Sequence, residues 1–72
     1  MSRSKIYQVV GENLHTIRRR AHLSQEQLAE KADLTTNYIG EIERAEKKIT
    51  LETLEKIAGA LGVRIRDLVG EL

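Results

Sequence analysis

The chain of 72 residues contains no cysteine, proline, tryptophan or phenylalanine. Without cysteine there is no disulfide and no thiolate metal site, and no redox compartment is implied. Aromatic content is two tyrosines, and the 40% of residues that are hydrophobic are mostly Leu, Ile, Val and Ala, which favours a helical bundle over a sheet. No apolar run approaches membrane-spanning length, and the opening segment MSRSKIY lacks the long apolar core of a signal peptide, so the expected address is cytoplasmic. A large excess of one charge is also missing: 12 basic residues face 11 acidic ones. The distribution is less even, because residues 1–24 hold Arg3, Lys5, Arg18, Arg19 and Arg20 against Glu12 alone. A chain this short is expected to form one domain, residues 1–72, with a thin core.

Five helical segments can be read with short connections and no linker or repeat. Ile6, Val10, Leu14, Ile17 and Ala21 recur every three or four residues, the mark of an amphipathic first helix ending near His22. Ser24 with Gln27 three residues on is a capping-box signature, and Leu28, Ala29 and Ala32 form the inner side of the second helix. Asp33 is suited to a left-handed turn. Thr35 is a candidate N-cap for a third helix whose buried stripe is Ile39 and Ile42. Thr50 caps a fourth helix with Leu51, Leu54, Ile57, Ala58 and Leu61 inward and Gly62 as its stop, and a short fifth helix holds Ile65, Leu68 and Val69. The expected class is all-α, a compact five-helix globule.

Helix 25–31, a turn of about three residues and helix 36–44 make a helix-turn-helix, with Ala29 small enough to allow close approach. The third helix is unusual in composition. Its segment TTNYIGEIER is built largely from residues of middling or poor helix propensity, including a central glycine, where a solvated helix would carry Glu, Lys, Ala or Gln. With Ile39 and Ile42 buried, Thr36, Asn37, Gly40, Glu41 and Arg44 fall on the other side. Asn can pair twice with adenine, Glu accepts from the cytosine amino group, and Thr offers a hydroxyl and a methyl. Gly40, lacking a side chain, would let the backbone approach a partner closely.

The stretches LSQEQLAEKADL, YIGEIER and LETLEKIAGALGV, spanning about residues 11–68, resemble the helix-turn-helix repressors of the phage repressor and Cro type. NYIGEIER also resembles the compact controller proteins of restriction–modification systems. The resemblance implies that helix 36–44 enters the major groove of double-stranded DNA, with Thr36, Asn37, Gly40 and Glu41 reading bases. It further implies backbone phosphate contacts from Gln25, Thr35, Tyr38, Arg44, Lys47 and Lys48, and a buried ion pair between Arg18 and Glu43. Two positions depart from the family pattern: His22 and Ala45 stand where glycine is usual. Either both take left-handed conformations under strain, or the loop after the third helix follows another path.

The expected function is a sequence-specific transcriptional regulator, binding two operator half-sites as a homodimer through Val63, Ile65, Val69 and Leu72. Occupancy of the site or contact with RNA polymerase would carry the effect. An antitoxin that neutralises a cognate toxin and binds its own promoter is the alternative. Ser, His and acidic residues fall in no catalytic motif, so no enzyme is expected. His15 and His22 have no third ligand nearby, so no metal site is expected, and no cofactor is implied.

Overall fold

The computed structural model describes residues 5–70, all of whose regular structure is helical. In chain order the elements are α1 (Lys5–Arg20), α2 (Gln25–Ala32), α3 (Thr36–Glu43), α4 (Leu51–Leu61) and α5 (Ile65–Val69). Helix α1 packs on α3 and α5, α2 packs on α3 and α4, and α4 packs on α5. The centre is filled by Leu14, Leu28, Ile39, Ile57 and Leu68, which have no exposed surface, with Val10, Ile42, Leu54 and three alanines around them. No helix among the described residues is long and apolar enough to cross a membrane.

The helix starts follow the expected chemistry. Ser24 accepts from the Gln27 N–H while the Gln27 side chain accepts from the Ser24 N–H, closing a reciprocal capping box. Thr35 and Thr50 accept from the N–H groups of Tyr38 and Thr53. The first turn of α5 is held by Asp67, which accepts from the Arg64 N–H at 2.9 Å.

The helix ends share one construction. After α1, α2, α3 and α4 a residue in the left-handed region bonds back three residues, and the next residue bonds back five. The pairs are His22→Arg19 with Leu23→Arg18, Asp33→Glu30 with Leu34→Ala29, Ala45→Ile42 with Glu46→Glu41, and Gly62→Gly59 with Val63→Ala58. The four turning residues have φ of 59°, 59°, 60° and 70°, and only the last is glycine. His22 and Ala45 therefore do take the left-handed path at some cost, greater for alanine than for Asp or His, which visit this region more readily. The loop after α3 accordingly keeps the turn that the glycine-containing pattern would make, and Lys47 and Lys48 emerge from it exposed.

Several expectations are corrected. Leu51, read as inward, is 74% exposed, and Ile6 is 46% exposed. Both lie in the first turn of their helices, where side chains lean toward the N-terminal end and past the neighbouring helices. Ala21 lies just beyond α1 and is exposed. Helix α2 runs one residue further than expected, and α3 ends at Glu43 with Arg44 as its cap. Val63, Ile65 and Val69 pack against the core and are each half-buried, which leaves less apolar surplus there than the sequence suggested. Leu72 lies outside the described residues.

Two features of α1 set its position. Asn13 is buried and its amide donates to the carbonyls of Leu68 (2.9 Å) and Gly70 (2.5 Å), closing the C-terminal end of α5 onto α1. Gly11 lies against the end of α3, where an added Cβ would stand 2.6 Å from the Ile42 carbonyl oxygen and 2.7 Å from that of Glu43. Both neighbours are backbone and cannot swing away. Gly11→Ala is expected to destabilise the fold by roughly 1–3 kcal/mol, despite alanine's better helix propensity. Urea melts measure this; an unchanged or raised midpoint would show that α1 and α3 have room between them.

Candidate nucleic-acid interface

Helix α3 separates its two sides sharply. Ile39 and Ile42 are buried to within 2% and hold the helix to the core, and half-buried Tyr38 packs at the core edge. Thr36 and Asn37 are exposed and Glu41 is half-buried, so the groups suited to base edges lie on the side away from Ile39 and Ile42. Thr35 sits one residue ahead, exposed, with its oxygen already accepting from Tyr38 N–H at 3.1 Å and its hydroxyl proton left to donate. Arg44 follows the helix with its guanidinium in the open, Nε 3.0 Å from Glu46. That carboxylate's hydrogen bond and charge hold the arginine more firmly protonated.

Gly40 departs from the expected open position. It is buried, and the atoms that cover it are Arg44 Nη1, 3.0 Å from where a Cβ would stand, and the Gln25 side-chain amide at 3.6 and 3.7 Å. In the free chain its backbone lies beneath the ends of these two side chains. The cause is the close crossing of α2 over α3, which brings the first residue of α2 onto the middle of α3.

Behind this surface lies the ion pair. Arg18 Nε donates to Glu43 Oε2 at 2.6 Å and Arg18 Nη2 to Oε1 at 3.2 Å, a two-pronged contact between side chains only 9% and 6% exposed. Arg18 Nη1 also donates to the Leu23 carbonyl at 2.8 Å, tying in the turn between α1 and α2. The structure adds two members that the sequence pattern did not reveal. Gln25 Nε2 donates to Glu43 Oε1 at 3.0 Å, and His15 Nδ1 lies 3.0 Å from the same oxygen. His15 stands one turn before Arg18 on α1, a spacing that marks it as a neighbour of the pair. Gln25, expected to face phosphate, is thus half-buried and anchored from behind by Glu43. Among the described residues no group of His, Cys, Asp and Glu could hold a metal ion.

Burial raises the pKa of Glu43, but hydrogen bonds from Arg18, His15 and Gln25, with the charge of Arg18, outweigh it and leave the carboxyl below its ordinary 4.5. The unfolded chain takes up this proton near pH 4.5, whereas the folded chain holds it off until lower pH. Folding stability contributed by Glu43 is therefore complete above about pH 5 and is lost as pH falls through the folded value. Glu43→Gln should flatten the fall of unfolding free energy with acid in this range, measured by urea melts at stepped pH. An identical slope in the two proteins would place the acid sensitivity elsewhere.

Comparison with known proteins agrees with the geometry. A helix-turn-helix family model matches residues 14–68. The immunity repressor protein of Bacillus phage phi105 is 47% identical over 62 residues, which is 86% of this chain but 43% of the repressor. The control protein C.SmaI of Serratia marcescens is 42% identical over 64 residues, covering 89% of this chain and 76% of that protein. Among solved structures, the restriction–modification controller protein C.AhdI from Aeromonas hydrophila superposes with a TM-score of 0.84 at 34% identity, covering 86% of this chain and 94% of that one.

Proposed function

The chain belongs to the helix-turn-helix family, as a DNA-binding transcriptional regulator of the phage or restriction–modification type, and we propose that it binds operator DNA as a homodimer. The observation that carries this reading is the division of α3: fully anchored by Ile39 and Ile42, it turns Thr36, Asn37 and Glu41 outward with hydrogen-bonding groups suited to base edges. Gln25, Thr35, Tyr38, Arg44, Lys47 and Lys48 flank that helix and contact the sugar–phosphate backbone, fixing its register in the major groove. A twofold dimer through Val63, Ile65, Val69 and Leu72 would place two copies of α3 about one helical turn apart, roughly 34 Å. Regulation follows from occupying the site or from touching polymerase beside it, and the setting is the cytoplasm. The family regulates transcription and performs no catalysis.

Titrations on an operator selected from random DNA and on its scrambled duplex, at one fixed salt concentration, test the assignment. Asn37→Ala and Glu41→Ala should cost roughly 1–3 kcal/mol on the operator and narrow its advantage over the scrambled duplex. Gln25→Ala should weaken both duplexes by similar factors, because phosphates carry no direct sequence information. An unchanged operator-to-scrambled ratio in both α3 variants refutes base reading by these residues, and a complex containing a single protomer by sedimentation refutes the dimer.

A further inference from the structure

Asn13 stands where the apolar pattern of α1 calls for a hydrophobic side chain, one turn after Val10 and one turn before Ile17. It is 7% exposed, and a buried amide is tolerated only where its hydrogen bonds are made. Its partners are the Leu68 and Gly70 carbonyls, at 2.9 Å and 2.5 Å, at the end of a helix only five residues long. Water or the chain's own return can satisfy the last carbonyls of a helix. Here the donor comes from another helix, so the same bonds also fix where the end of α5 sits on α1. Packing alone would fix it loosely, because Leu68 is the one side chain of α5 out of solvent and apolar contact is non-directional.

The other side of α1 is fixed to α3. Gly11 lies against the last carbonyls of α3, and Arg18, two turns further on, is paired with Glu43. At about 100° per residue, Asn13 is roughly 200° around the helix from Gly11, which turns it to α5. Helix α1 packs on both α3 and α5 and is a strut between them. We propose that Asn13 is a specificity-determining residue for operator spacing. By pinning the end of α5 to α1, it fixes the angle between the dimer-forming element and the reading helix, and with it the half-site separation that a dimer accepts. It touches no DNA and acts as a positioning residue. The lever is long enough to matter: with two copies of α3 about 34 Å apart, each lies about 17 Å from the twofold axis. A tilt of roughly 5° between α5 and α3 moves each copy by about 1.5 Å and the pair by about 3 Å, close to the rise of about 3.4 Å per base pair.

The inference rests on the homodimer reading above. Its test uses an operator selected from random DNA by the wild-type chain, derivatives with one base pair inserted or removed between the half-sites, and a duplex holding one half-site. The wild-type dimer should lose roughly tenfold or more in affinity at each altered spacing. Asn13→Ala should bind the three spacings within about threefold of one another. It should bind the single half-site as tightly as wild type does, because α3 keeps its own anchors. If Asn13→Ala does not fold, Gly70→Ala carries the same comparison. Its Cβ would stand 3.0 Å from the Arg66 carbonyl oxygen and push the Gly70 carbonyl off its Asn13 donor. A spacing profile as sharp as that of wild type overturns the proposal. An equal loss on operator and single half-site also overturns it, by placing the effect inside one protomer at α3. So does a variant that no longer dimerises by sedimentation, since Asn13 would then be a requirement of the interface and not of its angle. A wild-type complex holding one protomer refutes the homodimer reading, and the inference falls with it; a dimeric, spacing-sensitive wild type beside an equally sensitive variant sinks the inference alone.

Discussion

The carboxylate of Glu43 is the point on which the geometry of the three N-terminal helices depends. It terminates α3, lies almost out of solvent, and receives donors from α1 through Arg18 and His15 and from α2 through Gln25. Arg18 extends the same network to the Leu23 carbonyl in the α1–α2 turn. A buried charge costs several kcal/mol to desolvate and is tolerated only where its hydrogen-bonding capacity is met, and no buried side-chain polar atom among the described residues is left without a partner. Hydrophobic contacts among Leu28, Ile39 and Ile42 are non-directional and would permit a range of crossing angles. The fixed distances around Glu43 select one, and with it the direction in which Thr36 and Asn37 face. The ion pair and the exposed Thr36–Asn37 surface are thus two sides of one helix: the same residue that staples α3 to α1 also fixes Gln25 over Gly40.

A thin core makes such devices necessary. A domain of this size buries a modest share of its surface, so short helices need every terminus satisfied. Four helices close with the same paired backbone bonds, and three of the four turning residues carry side chains in a conformation that glycine would adopt more cheaply. The strain at Ala45 is placed directly between α3 and the loop bearing Lys47 and Lys48, where the chain path matters to any DNA contact. Close backbone approach of α1 to α3 at Gly11 and the Asn13 bonds to the end of α5 complete the frame.

Much of this was legible in the sequence because it is local. Periodic apolar residues, the Ser24–Gln27 box, the Thr35 and Thr50 caps and the Gly62 stop depend on neighbours within four or five positions. Arg18 with Glu43 came from the family resemblance, since no spacing rule links residues on separate helices. The features that were not legible depend on how helices cross. Gly40 lies on the side of α3 opposite its buried stripe, and it is covered by the side-chain ends of Gln25, arriving from α2, and of Arg44. The demand for glycine at position 11 comes from carbonyls more than thirty residues away in sequence. Leu51 was misplaced because periodicity ignores the tilt of side chains toward a helix start. His15 had a readable i, i+3 relation to Arg18, but only the structure shows that both meet one carboxylate.

Arg18 and Glu43 act as one buried unit, and a double-mutant cycle by urea denaturation tests this most directly. Arg18→Met leaves a buried carboxylate without its cation, and Glu43→Leu leaves a buried guanidinium without its anion; each should lose about 3–5 kcal/mol. The double variant, with neither charge, should be more stable than the sum of the two losses allows by several kcal/mol. A folded double variant beside unfolded single variants would support the same coupling. Two losses below about 0.5 kcal/mol that simply add would mean that these charges behave as exposed ones, and that packing alone sets the angle between the helices.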